Sequence, residues 1–270
     1  MPQSSLSPYR VAAFNTAKAS ENKIHDDDVA ARFGFKGGLV PGVDVYAYMT
    51  HLPVARWGRA WLDSGTAECR LLKPVYDGDI VTVTAGETAD GLDLELESRG
   101  ELCATGHASL RPRPVAPPAA FAEAPLPPAP PAERPPATAV NLPVGAWLAI
   151  RPLRIGADDA RQYLADIRES LPLYAEQGLV HPGAILRIGN WALRDNVVLG
   201  PWMHVGSRIE HFAAVPVGDE LTAKALVTGN WQHKGHEFVA LDVLVYANAT
   251  MPVARIAHTA IYRPRQLAAA

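Results

Sequence analysis

Cysteine is scarce in this chain of 270 residues: there are two, Cys69 and Cys103. They lack metal-ligand spacing and sit among apolar neighbours, so they read as buried thiols. Charge of one sign is missing as well. The formal net charge is −3, with a fifth of the residues charged. Binding nucleic acid needs a concentrated basic face, so that partner is excluded. No run approaches the length of apolar chain that a membrane span requires, and no membrane partner is expected. Met1 to Pro8 is polar and has no apolar signal region, so a cytoplasmic location is expected. Three consecutive carboxylates, Asp26 to Asp28, do not converge on one ion in helix or strand. They read as the acidic start of a helix, and no metal is expected.

What is present is an apolar share of nearly half, a band of proline and a repeat. Hydrophobic residues make up 48%, enough for a sizeable core. Proline gathers between Pro112 and Pro143, interleaved with alanine. A residue with fixed φ and no N–H fits neither a central strand nor a regular helix, so an extended, partly polyproline linker is expected. This divides the chain into an N-terminal domain over 1–113, a linker over 114–143 and a C-terminal domain over 144–270.

The two sides match each other. Gly38-Leu39-Val40-Pro41-Gly42 answers Gly178-Leu179-Val180-His181-Pro182-Gly183. Trp61 follows Pro41 at the interval by which Trp202 follows Pro182, and Gly65 and Gly206 follow the tryptophans alike. Gly78-Asp79 matches Gly218-Asp219, and each half closes on a similar strand, from His107 and from His258. Ordered matches at near-constant offset indicate an internal duplication. After each Pro-Gly the chain is apolar on nearly every side for several turns, which predicts a buried helix. Beyond it the period falls to two, with turn signals at Asp90-Gly91, Arg99-Gly100 and Lys234-Gly235. The expected class is α+β, a curved antiparallel sheet wrapped on a buried helix, made twice.

Here the chain resembles the hot-dog superfamily, in its MaoC-like or R-specific enoyl-CoA hydratase branch. That branch carries Asp, any residue, Asn, Pro, an aliphatic and His before a glycine-rich segment and the central helix. Ser20-Glu21-Asn22-Lys23-Ile24-His25 stands in that place, followed by Phe33 to Gly42. Glu169-Ser170-Leu171-Pro172-Leu173-Tyr174 stands there in the second half. The resemblance implies a double hot-dog fold that adds or removes water at an acyl thioester. His25 would be the base, Asn22 with Ser20 or Glu21 would position water, and the backbone at Gly42 would polarise the carbonyl.

The departures are specific. Ser20 replaces the family's Asp, Lys23 replaces its Pro, and neither half keeps an intact Asp–His pair. Two alternatives therefore stand beside the hydratase. One is an acyl-CoA thioesterase on the same fold using Asp44 or Glu169. The other is a non-catalytic acyl-CoA-binding protein. Each candidate also has a structural reading: Asp44 as a polar residue at a helix start, Glu169 as a solvated charge, Tyr174 as an interface aromatic, and His181 as a loop cap. No cofactor is implied beyond the coenzyme A or carrier pantetheine that the substrate brings. Association of two chains as a homo-oligomer is left open.

Overall fold

The computed structural model describes residues 6–113, 115–124 and 126–265. A short strand β1 (Tyr9–Ala12) and a single 3-10 turn (Lys23–His25) precede helices α1 (Asp27–Arg32), α2 (Gly42–Trp57) and α3 (Arg59–Ser64). Strands β2 (Gly65–Leu71), β3 (Ile80–Glu87), β4 (Leu92–Ser98) and β5 (Glu101–Leu110) complete the first half. A short helix α4 (Ala119–Glu123) and strands β6 (Trp147–Ala149) and β7 (Leu153–Arg154) lead into the second. There the order recurs: α5 (Ala157–Asp166), α6 (Leu173–Gln177) and α7 (Pro182–Arg194), then β8 (Met203–His211), β9 (Glu220–His233), β10 (His236–Ala247) and β11 (Met251–Arg263).

Local chemistry accounts for these elements. In α2, residues Val43 to Thr50 are all buried, Asp44 included, so packing rather than an amphipathic stripe holds the helix. It starts at Gly42, where the amides of Asp44 and Val45 turn back onto the Pro41 carbonyl at 2.8 and 3.0 Å. In α7, Pro182 is the first helical residue and the His181 ring caps the turn by accepting the Gly183 amide at 3.0 Å. Along β4, Leu92, Leu94 and Leu96 face the core and the residues between them face outward. Arg99-Gly100 and Lys234-Gly235 form two-residue hairpin loops with both φ values positive, the twist that flanking strands favour.

The strands make one sheet in the order β1-β3-β4-β5-β2-β8-β11-β10-β9-β6, with β7 also on β9. The halves join where β2 and β8 pair antiparallel, Ala67 opposite Ile209 and Glu68 opposite Arg208. The repeat equates Gly65 with Gly206, hence Ala67 with Arg208 and Glu68 with Ile209. Exchanging the halves therefore maps this ladder onto itself, and an approximate twofold axis passes between the two residue pairs. Helix α2 packs on β3, β4 and β5, helix α7 packs on β9, β10 and β11, and the two helices pack on each other.

The proline-rich stretch differs from the expectation of a helix-free, external linker. Ala119 to Glu123 forms one turn, because Pro118 stands just before the helix, where a missing N–H costs nothing. The stretch is docked as well. Phe121 is buried and meets the Trp147 ring edge-on, and Lys224 Nζ donates to the carbonyls of Phe121 and Ala124. Leu142 is fully buried, its carbonyl accepting from Asn230 Nδ2 at 3.0 Å. Both cysteines are free and buried, and burial pushes the Cys69 thiol up to about 12.

Candidate active site

A crevice runs between the halves, and its two lobes share a waist formed by Asn22, His25, Pro41, Asn190 and Trp202. The first lobe, about 210 Å³, is walled mainly by apolar side chains such as Ile24, Phe35, Val45, Leu71 and Met203. The second, about 610 Å³, carries Arg134, Arg151, Arg187 and Arg194, against the carboxylates of Glu21 and Asp195.

The 3-10 turn sets His25 at the waist. Asn22 caps that turn by accepting the Ile24 amide at 3.3 Å. The glycine-rich segment then folds back over it, Leu39 N donating to Ile24 O and Gly38 N to Asp27 Oδ1. A side chain at Gly38 is impossible, since its Cβ would lie 2.1 Å from the His25 carbonyl. His25 Nδ1 lies 2.7 Å from the Leu39 carbonyl. A carbonyl only accepts, so Nδ1 carries the proton and the neutral ring leaves Nε2 as a bare lone pair. Burial lowers the His25 pKa, more than the Leu39 carbonyl and Asp44 raise it, which keeps the ring neutral near pH 7. Asn22 Nδ2 lies 3.2 Å from Nε2 and donates to Trp202 O at 3.0 Å, while Asn22 Oδ1 accepts the Trp202 amide at 3.2 Å. Asn22 thus ties the base of one half to the backbone of the other.

Gly42, at the mouth of α2, lines the apolar lobe. Because the amides of Asp44 and Val45 are spent on Pro41, those of Gly42 and Val43 are the free donors of the first turn among the described residues. Leu71 and His204 close on Gly42 so tightly that a Cβ there would come 2.3 Å from Leu71 Cδ1.

The remaining sequence candidates lie elsewhere or are engaged. Ser20 and Glu21 line the second lobe beside His25 and make no hydrogen bond to its ring among the described residues. Ser20 Oγ contacts Asn22 O at 3.4 Å, and Glu21 pairs with Arg134 at 3.1 Å in the wall of the second lobe. Asp44 is fully buried and every lone-pair direction is occupied. Oδ1 accepts from Tyr163 Oη and Arg187 at 2.9 Å each, and Oδ2 accepts from Thr16 at 2.5 Å and Arg187 at 3.0 Å. It does not line the crevice; it fastens α2 to α7.

Glu169, Tyr174 and His181 meet in the second half and form a buried cluster. Glu169 accepts from His51 Nδ1 at 2.8 Å and from the Leu171 amide at 2.8 Å, with His181 Nε2 at 3.6 Å. Burial alone would raise the Glu169 carboxyl. The two histidines outweigh it and hold the group well below the usual carboxylate range, so it stays ionised. We take His51 as its principal partner, since 3.6 Å is long for a hydrogen bond. Tyr174 packs on the His181 ring with centroids 4.7 Å apart, and its hydroxyl is buried. Glu169 is therefore a paired interior charge rather than a solvated one.

Sequence reasoning passed over three features. Asn190 of α7 stands at the waist. Trp202, which served in the sequence only as a mark of the repeat with Trp61, walls both lobes. His204 and His258 stack with centroids 4.4 Å apart and share Ser207 Oγ, at 2.8 and 2.9 Å. The one sequence signal was a polar residue, Asn190, one turn from Arg187 and from Arg194 on an otherwise apolar helix.

Known proteins share this architecture at low sequence identity. No family model and no curated protein sequence matches the chain. Solved structures do. A conserved hypothetical protein of Mycobacterium tuberculosis, described as having a double hotdog fold, has a TM-score of 0.64 at 18% identity, over 96% of each chain. A protein of Chloroflexus aurantiacus, provisionally named a MaoC domain protein dehydratase, has a TM-score of 0.57 at 12% identity, over 96% of this chain and 94% of that one. A provisionally named thioesterase of Novosphingobium aromaticivorans has a TM-score of 0.50 at 13% identity, over 96% of each. At such identities the likeness speaks to architecture. With a self-mapping β2–β8 ladder and a buried helix on each half-sheet, the chain is a double hot-dog protein.

Proposed function

We propose that this chain adds water to, or removes it from, an acyl group carried as a thioester, with His25 Nε2 as the base. The observation that carries the reading is the His25 ring: Nδ1–H is committed to Leu39 O, and the unprotonated Nε2, met only by Asn22 Nδ2, lies at the waist of a crevice with an apolar lobe on one side. The mouth of α2 lies beside it, where backbone N–H groups and the helix dipole suit a developing oxyanion. The apolar lobe has room for on the order of seven water-sized groups, which fits a short acyl chain. The arginines of the wider lobe suit the phosphates of coenzyme A, since guanidinium forks match phosphate oxygens. When the reacting water arrives, it takes the Nε2 contact that Asn22 Nδ2 makes in its absence.

The same base and helix mouth serve hydrolysis of the thioester, and this second reading has one feature in its favour. Among the described residues no carboxylate hydrogen-bonds His25, and hydrolysis asks less of an acid–base pair than hydration does. Incubation with crotonyl-CoA separates the readings through loss of the conjugated absorbance. Hydration is expected, and His25→Ala is expected to lower it on the order of 10²- to 10⁴-fold. Hydration that survives His25→Ala removes the assignment of the base. Thiol release from saturated acyl-CoA moves the assignment to hydrolysis. Binding without either reaction makes the protein a carrier or sensor of acyl thioesters.

A further inference from the structure

The hydratase reading leaves a gap where Ser20 replaces a carboxylate: no hydrogen-bond acceptor yet described orients the water that His25 would deprotonate. Asn190 occupies the right place. It lines both lobes of the crevice, so it stands at the same waist as His25. Its Oδ1 is buried with no hydrogen-bond partner among the described residues. Asn22, the other carboxamide at the waist, keeps its Oδ1 on the Ile24 and Trp202 amides, so once water displaces its contact with Nε2 it offers that water a donor but no acceptor.

An orphaned buried acceptor costs about 1–3 kcal/mol, and native interiors hold few of them. Asparagine is also a poor helix former, because its side chain competes for backbone partners outside the helix. Yet Asn190 sits mid-helix in α7, with Ile188, Gly189, Ala192 and Leu193 buried around it. A leucine there would satisfy both packing and helix propensity. The carboxamide makes physical sense as a group that turns its oxygen toward the crevice when its partner arrives with the substrate.

Resting on the thioester reading above, we propose that Asn190 holds the reacting water against His25 Nε2. The working site is then composite, its base from the first half and its water-binding carboxamide from the second. In hydration, the water O–H bond breaks as its proton passes to Nε2, and the oxygen forms a bond to the β-carbon. The electron pair of the double bond moves onto the thioester oxygen beside the α2 mouth. The imidazolium then returns its proton to the α-carbon as the carbonyl re-forms, and the ring is neutral again. In hydrolysis, the same held water gives its proton to Nε2 and bonds to the thioester carbon, the C–S bond breaks, and the imidazolium returns the proton to the departing thiolate. Asn190 is a catalytic residue in this scheme, since it touches the reacting oxygen. Its approach also fixes which face of a planar enoyl group the water meets.

The test compares Asn190→Ala, Asn190→Asp and His25→Ala in the full chain, with crotonyl-CoA and hexanoyl-CoA as substrates and thermal unfolding measured alongside. Asn190→Ala is expected to lower kcat about 10²-fold, the usual penalty for a misplaced reactant, with KM within about threefold. Asn190→Asp, which keeps a water-binding oxygen on the same stem, is expected to recover most of the rate. Asn190→Leu, which fills the volume without polar atoms, serves if alanine leaves too large a hole. Turnover lost in His25→Ala but intact in Asn190→Ala overturns the role of Asn190 alone. So does a rate that falls only in step with stability. Absence of both hydration and thiol release in the unaltered chain overturns the thioester reading, and the role of Asn190 with it.

Discussion

Asp44→Ala separates a nucleophile from a fastener. The carboxylate is 0% exposed and takes four hydrogen bonds, two from Arg187, one from Tyr163 and one from Thr16. Removing it leaves the Arg187 side chain, 23% exposed, without its counter-ion between α2 and α7. Breaking a buried pair from one side costs about 3–5 kcal/mol. For a chain of this size each kcal/mol lowers the unfolding midpoint by about 2–4 °C, so a fall of about 6–20 °C is expected. The paired replacement Asp44→Leu with Arg187→Met removes both charges at once and is expected to recover most of the loss. Circular dichroism through a thermal ramp gives the midpoints, and turnover is measured well below them. An unchanged midpoint would refute the fastening role. Abolished thiol release at an unchanged midpoint would return Asp44 to the part of attacking group.

Two further outcomes follow from the same geometry. Burial holds His211 down to about 3 and His204 to about 4, so the native chain refuses protons that the unfolded chain takes up below pH 6.5. Their contribution to stability is complete above that value and is lost as pH falls, at about 1.4 kcal/mol per pH unit for His211 down to its native pKa. Urea midpoints at pH 7.5 and pH 5 should differ accordingly, and His211→Phe should flatten the dependence; equal midpoints in the unaltered chain would count against it. Arg134→Ala should raise KM for coenzyme A thioesters, more at low salt, and leave truncated thioesters that lack the phosphates unaffected. An equal rise for both would remove the phosphate role from the wider lobe.

The duplication was legible because it rests on local marks at fixed spacing. Pro41 and Pro182 open the two central helices, and Gly65 and Gly206 fall on the two strands that join the halves. Backbone demands such as these are written where they act. The site was legible only in part. His25 and Asn22 lie three residues apart on one turn, so a motif could name them together. The partners of Asp44 and Glu169 come from up to 143 and 118 residues away, and no local pattern announces them. The same separation hid Asn190, whose significance lies in standing opposite a residue of the other half. The proline band misled in one respect: residues such as Phe121 and Leu142 are anchors, and a count of prolines does not register two apolar side chains set to dock.

The internal duplication puts both copies under one stretch of genetic text. In a dimer of identical chains every substitution is written twice, and a cavity cannot be plugged on one side without being plugged on the other. A fused pair is free of that rule. One half can gather Glu169, His51, His181 and Tyr174 into a buried cluster while the other opens a crevice around His25. The hollow side can then recruit Trp202 and Asn190 from a neighbour that no longer has to do the same work itself. Division of labour between copies is what covalent linkage makes available here.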